Sequence, residues 1–188
     1  MTETLEIDKI VKQCQKGDSK AQYKLYKLLS PRLFSICLRY AKDNTEAEDI
    51  LQDGFIKIFT KIKQFQFNGS FEGWAHRVIT NCALERFRKM NLMYTVGEII
   101  EYDTQLSYND AVSTISHNEL LKIIQSLSPQ YRTIFNLYAI EGYSHHEIGE
   151  MLNISENTSK SNLSRARQIL KEKVELLYNT KENRNISI

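Results

Sequence analysis

From Leu5 to about Leu92, and again from Leu120 to about Tyr178, apolar side chains return at the three- and four-residue spacing of a helix face. Between these tracts, from Met93 to Glu119, the pattern fades, and Glu98, Glu101, Asp103, Asp110 and Glu119 stand without a single Lys or Arg. A chain written this way folds as two small helical bodies joined by a solvated acidic linker. Only seven glycines and two prolines occur in 188 residues, too few for the turns of a β-sandwich or barrel. Hydrophobic residues make up 41%, enough for a buried core. The expected class is all-α, with a first domain over residues 1–92, the linker over 93–119, a second domain over 120–178 and a polar tail over 179–188.

Punctuation inside the tracts sets the expected helix ends. Gly17-Asp18, Ser30-Pro31, Asp43-Asn44 and Asn68-Gly69 interrupt the first. Thr45-Glu-Ala-Glu48 and Ser144-His-His-Glu147 fit capping boxes, in which a hydroxyl and a carboxylate satisfy opposite orphan amides. Ser128 precedes a proline at a first helical position, and Ser155 suits the cap of a last helix ending near Tyr178.

The tightest local pattern spans Ser144 to Lys171. A short helix, His145 to Leu152, turns Ile148, Met151 and Leu152 inward. The turn Asn153-Ile154-Ser155 follows, with Asn tolerating a left-handed backbone. On the next helix Ser159, Leu163, Ala166, Leu170 and Val174 share one side. The other side carries Asn157, Lys160, Ser161, Ser164, Gln168 and Lys171, flanked by Arg165 and Arg167. Short polar side chains near the start and cations further on suit a recognition helix, whose first turns meet base edges while its flanks hold phosphates. A preceding helix is expected to pack through Tyr131, Ile134, Phe135 and Tyr138.

Two faces of the first tract look used. On Glu46 to Ile62, Ala47, Ile50, Leu51, Phe55, Ile58 and Ile62 form a core stripe. The far face mixes Asp49, Gln52, Asp53 and Thr60 with Ile56, an apolar residue among acids that suits protein docking. Next, Lys63-Gln-Phe-Gln-Phe-Asn-Gly-Ser70 is a loop with two aromatics. It leads into a helix from Phe71 to about Met90 with Phe71, Trp74, Ala75, Val78, Ile79 and Cys82 inward. Arg77, Thr80, Asn81, Leu84 and Arg88 line another side, with Arg86 and Lys89 nearby. A basic, amide-bearing stripe beside an aromatic loop suits phosphate contact and stacking of unpaired bases. For Phe65 and Phe67, stacking on bases and filling the core stay equally open.

Other chemistries find no support. Cys14, Cys37 and Cys82 are far apart, and no Cys-x-x-Cys pair, Gly-rich phosphate loop or nucleophile elbow is present. His76, His117, His145 and His146 lack ligand spacing, so no metal, cofactor or enzymatic activity is expected. The start, Met1-Thr-Glu-Thr-Leu-Glu, lacks the order of a signal peptide, and no apolar run spans a bilayer, so a reduced cytoplasmic protein without membrane insertion is expected. The formal net charge of +2 confines any basic surface to patches.

Together these segments resemble the bacterial RNA polymerase sigma factors of the sigma-70 family, in particular the extracytoplasmic-function group. Gly17-Asp-Ser-Lys-Ala-Gln-Tyr-Lys-Leu-Tyr26 resembles the opening helix of region two. Ala47-Glu-Asp-Ile-Leu-Gln-Asp-Gly-Phe55 resembles the polymerase-binding helix. Gly69-Ser-Phe-Glu-Gly-Trp74, with Arg77, Asn81, Ala83-Leu84 and Arg88, resembles the promoter-opening helix, and Leu127 to Lys171 resembles region four. Glu85, Gly149 and Asn153 stand where the family commonly has Asp, Ala and Gly.

The resemblance implies a sigma factor that binds core RNA polymerase and promoter DNA. Asp49, Gln52, Asp53 and Ile56 would dock on the polymerase. Lys63, Phe65, Phe67, Asn68, Arg77, Thr80, Asn81, Leu84 and Arg88 would serve the minus-ten element, the loop capturing a flipped base. Ser155, Asn157, Thr158, Lys160, Ser161, Ser164, Arg165, Arg167 and Gln168 would serve the minus-thirty-five element. An anti-sigma factor is a further partner the resemblance raises. The rival is a stand-alone helix-turn-helix regulator, which has no use for the Ala47–Phe55 motif. The linker is either a mimic of nucleic-acid phosphates or a plain tether.

Overall fold

The structure is a computed structural model in which residues 2–94 and 116–185 are described. Its described elements are all helical, with no strand among the described residues, and it divides into two compact units after Arg86. The linker carboxylates Glu98, Glu101, Asp103 and Asp110 lie outside the described residues.

The first unit holds α1 (Thr2–Gln15), α2 (Ser19–Tyr40), α3 (Asn44–Lys61), a 3-10 turn (Ile62–Gln64) and most of α4 (Phe71–Tyr94). Asp18 caps α2, its carboxylate accepting from the Lys20 and Ala21 amides at 2.8 and 3.2 Å. The interruption expected at Ser30-Pro31 does not occur: α2 runs through Pro31 unbroken. A proline inside a helix costs about 3 kcal/mol. The stripe Leu25, Leu29, Leu33 and Cys37, all buried, spans the proline and outweighs that cost.

The cap of α3 also differs from expectation. Asp43 rather than Thr45 is the N-cap, its carboxylate accepting from the Glu46 amide at 2.8 Å, while Glu46 reaches back to the Lys42 amide at 2.7 Å. A charged acceptor facing the positive helix end is favoured over a hydroxyl two residues further in. The core stripe Ala47, Ile50, Leu51, Phe55, Ile58 and Ile62 is buried as its periodicity predicts. Gly54 joins it where α4 passes close: a Cβ there would lie 2.2 Å from Ile79 Cδ1.

On α4, Phe71, Ala75, Ile79 and Cys82 are buried, whereas Trp74 and Val78 are only half-buried. Thr80, Ala83, Leu84 and Phe87 are buried too, so the helix is enclosed over a wider arc than one amphipathic stripe. It continues to Tyr94, past the expected end near Met90.

The second unit holds α5 (His117–Gln125), α6 (Pro129–Phe135), a π-helical turn (Asn136–Ile140), α7 (His145–Leu152) and α8 (Glu156–Asn185). Its first cap corrects the linker boundary. Ser116 and Glu119 form a reciprocal capping box, so Glu119 belongs to α5 and not to the linker. Ser128 caps α6 with Pro129 in the first turn, as the sequence predicts.

The buried face of α6 is rotated from the predicted one. Arg132, Thr133, Ile134, Asn136 and Leu137 are buried, and Tyr131, Phe135 and Tyr138 are half-buried. The wide turn that follows, where the Glu141 amide bonds the Asn136 carbonyl five residues back, breaks the 3.6-residue phase for Tyr138, which lies within it. Buried Arg132 is accommodated by donating to the Gln125 carbonyl at 2.7 Å. On α8, Ser159, Leu163 and Ala166 are buried and Leu170 and Val174 half-buried. Its backbone stays helical to Asn185 rather than fraying after Tyr178.

Candidate nucleic-acid and protein interfaces

Because α3 buries one stripe against its neighbours, Asp49, Gln52, Asp53 and Ile56 are left exposed on its outer side. Ile56 is 60% exposed, at the rim of an open cleft of about 830 Å³ between α2 and α3 that Pro31, Phe34, Phe55 and Phe59 help to line. The two carboxylates do not stand alone. Arg86 of α4 donates to Asp49 Oδ2 at 2.8 Å and to Asp53 Oδ2 at 3.3 Å, and Lys57 pairs with Glu85 on the same pair of helices. Sequence spacing grouped Arg86 with the basic stripe of α4; only the crossing of α3 and α4 reveals that it faces the acids.

The loop between the 3-10 turn and α4 resolves the question left open for its aromatics. Phe65 is 8% exposed, with Phe67, Phe71 and Trp74 ring centroids at 4.9, 5.1 and 5.7 Å. It packs mainly into the core, with the remaining edge forming part of the wall of the neighbouring cleft. Phe67 is half-buried in a left-handed backbone (φ 60), with the Lys12 ammonium 5.1 Å from its ring centroid. A cleft of about 390 Å³ on this loop is lined by Gln64, Phe65, Gln66, Asn68, Ser70, Trp74 and Arg77, amide and guanidinium groups over an aromatic wall of Phe65 and Trp74.

Lys63, Asn68, Arg77, Asn81 and Arg88 are exposed. Thr80 and Leu84, expected beside them, are 3% and 1% exposed. Their burial within the wide enclosed arc of α4 removes both from any contact surface. They support the stripe from beneath.

Between α7 and α8 the chain makes a helix-turn-helix. Asn153 ends α7 at φ 56, ψ 47, and the Ile154 amide donates to the Gly149 carbonyl at 3.0 Å. A Cβ at Gly149 would lie 2.9 Å from the Ile154 carbonyl oxygen, which explains why this tight turn carries glycine there. The Ser144–Glu147 box starts α7, and two hydrogen bonds from Ser144 hold the Glu147 carboxyl below its ordinary range. Ser155 caps α8 by accepting from the Thr158 amide at 3.0 Å.

Asn157, Lys160, Ser161, Ser164, Arg165, Arg167 and Gln168 are all exposed, whereas Thr158 is half-buried with its hydroxyl 2.7 Å from that of exposed Ser155. Lys160 pairs with Glu156 at 2.6 Å, which lowers the Glu156 pKa. The adjacent histidines at the start of α7 differ in their surroundings. His146 is exposed, but the half-buried His145 ring stacks on Tyr138 at 4.4 Å and its Nδ1 lies 3.0 Å from Ser159 Oγ. Tyr138 also carries the Arg167 guanidinium 5.5 Å from its centroid, a contact no linear spacing signals.

The three thiols are buried, and desolvation pushes Cys37 up to about 12 and raises Cys14 and Cys82. Among the described residues no group of three or more His, Cys, Asp or Glu could hold a metal ion, and no helix is long and apolar enough to cross a membrane.

Two helical units, one ending in a helix-turn-helix with a polar, cationic second helix, are the architecture of a DNA-binding protein of the all-α class. Comparison with known proteins is specific. Sigma-70 region 2 matches residues 25–91, and Sigma-70, region 4 matches residues 117–170. The chain is 32% identical over 180 residues to the ECF RNA polymerase sigma factor SigW of Bacillus subtilis, covering 89% of this chain and 96% of that one. It is 25% identical over 189 residues to the ECF RNA polymerase sigma-E factor of Escherichia coli, covering 94% and 98%. In fold it is similar to the sigma factor RpoE of Bartonella quintana, solved with the anti-sigma factor NepR, at a TM-score of 0.51 and 20% identity over 81% of this chain and 96% of that one. The chain belongs to the extracytoplasmic-function RNA polymerase sigma factors, which are transcription initiation factors.

Proposed function

We propose that this chain docks on core RNA polymerase through Asp49, Gln52, Asp53 and Ile56 and directs it to promoters carrying two separate sequence elements. Arg77, Asn81 and Arg88 of α4, with Lys63, Phe67 and Asn68 of the loop, serve the minus-ten element. Thr80 and Leu84 are withdrawn from that set because they are buried, and Phe65 contributes only the edge that lines the cleft. At the minus-thirty-five element Asn157, Lys160, Ser161 and Ser164 meet base edges in the major groove, while Arg165, Arg167 and Gln168 hold the flanks and Ser155 and Thr158 the backbone near the helix start.

Residues 1–92 then act as region two and the segment from the Ser116 cap to Tyr178 as region four, with the acidic linker between and the tail beyond. An anti-sigma partner is proposed from the family, with the Bartonella complex as its example, and no residue is assigned to it.

The observation that carries this reading is the α3 face: a residue as apolar as Ile56 held 60% exposed among carboxylates. A stand-alone regulator of the same helix-turn-helix class gains nothing from such a surface. Physics supports the division of labour. Extruding a base costs a few kcal/mol, and a net charge of +2 supplies little non-specific affinity for DNA. The polymerase supplies that affinity, and this chain supplies the choice of site. Run-off transcription on a genomic library with purified core polymerase tests it. Specific products that require this chain are expected; tight duplex binding by the chain alone, with no association with core polymerase, would reject it.

A further inference from the structure

We infer that Gln15, at the end of α1, is a positioning residue for base capture, holding the 62–69 loop in the shape that opens its cleft. The inference rests on the reading of that loop given under Proposed function. The Gln15 carboxamide nitrogen donates to the Ile62 carbonyl and to the Phe65 carbonyl, both at 2.9 Å, across nearly fifty residues of sequence. Both of its hydrogens are committed. One turn earlier on the same helix, Lys12 lies over the Phe67 ring. The two side chains thus grip the loop at its entry and its apex.

The loop needs such a grip. Phe67 adopts a left-handed backbone (φ 60), disfavoured for any residue with a Cβ, and such a conformation persists only where its surroundings impose it. Gln64, Gln66 and Asn68 reach the cleft from alternate positions around the Phe65 and Phe67 peptides. Their directions follow the carbonyls that Gln15 fixes. A base is read by amide groups held to within about 0.5 Å, so releasing the carbonyls blurs the reading before it unfolds anything. Half-buried Gln15 makes both hydrogen bonds at the edge of the core, where water can take its place, so the global cost of losing it is small.

The test uses holoenzyme assembled from the full chain and core polymerase, with a promoter library randomised through the minus-ten element and run-off products sequenced. Phe67→Ala and Asn68→Ala locate the position that the loop reads, by flattening base preference there. Gln15→Met keeps the stem and removes both donors. It is expected to lower preference at that same position about tenfold, with the other positions, core-polymerase affinity and thermal midpoint unchanged. Gln15→Lys keeps a donor and is expected to retain the preference. Combined with Phe67→Ala, Gln15→Met should add nothing at that position.

If the loop variants flatten the preference and Gln15→Met does not, the positioning role is overturned while the loop reading stands. If the loop variants leave every position intact, both fall together. A loss spread evenly over all positions, in step with a lower midpoint, makes Gln15 merely structural and overturns the proposal. Should Gln15→Met not fold, Gln15→Glu, read against the same outcomes, decides.

Discussion

Asn153 bears the turn of the helix-turn-helix in a left-handed backbone that costs an ordinary side chain about 1–2 kcal/mol. Asn153→Ala is therefore expected to destabilise the protein by about 1 kcal/mol and Asn153→Gly to leave it unchanged or slightly stabler, as chemical denaturation would measure. The Ser144–Glu147 box yields a pH dependence. Hydrogen bonds from Ser144 lower the folded-state pKa of Glu147, so the carboxylate contributes stability above its ordinary range, and that contribution is lost as pH falls through the depressed value. Melting curves should show the wild-type midpoint falling faster than that of Glu147→Gln on acidification below about pH 4. Equal falls would mean the box contributes nothing through charge.

At the scale of elements, the crossing of α3 and α4 sets both the core and the docking face. Gly54 admits Ile79, itself fully buried, so the clash that a Cβ only 2.2 Å from Ile79 Cδ1 creates cannot be relieved by a simple rotation into solvent. Gly54→Ala should cost about 1–3 kcal/mol through overpacking. The same crossing delivers Arg86 to Asp49 and Asp53. These ion pairs are substantially exposed, so they contribute at most about 1 kcal/mol to folding. Charge reversal at both aspartates is accordingly expected to abolish core-polymerase binding in a pull-down while shifting stability by no more than about 1 kcal/mol. Undiminished capture of core polymerase would reject the assignment of this face.

For the molecule as a whole, the charge pattern matters more than its sum. Anionic side chains cluster in the linker and on α3, and cations on α4 and α8, while the net charge stays at +2. If the linker carboxylates stand in for phosphates in a cationic channel, replacing Glu98, Glu101 and Asp103 with the matching amides should weaken holoenzyme assembly. Unchanged affinity and start-site synthesis would leave the linker a tether.

Periodicity and capping chemistry are local, and the sequence alone was enough for most of what they govern, the α3 cap and the buried face of α6 excepted. It determined the all-α class, the buried stripe of α3, the Ser128, Ser144 and Ser155 caps, the left-handed Asn153 and the exposed polar start of α8. The remaining decisions depended on neighbours far along the chain. Burial carried α2 through Pro31, sank Phe65, Thr80 and Leu84 into the core, turned Arg86 toward the acids of α3 and set Gln15 beneath the loop. A helix pattern reports which side of one element is apolar. How wide an arc other elements cover, and which polar groups they bring within 3 Å, is settled only when the elements pack.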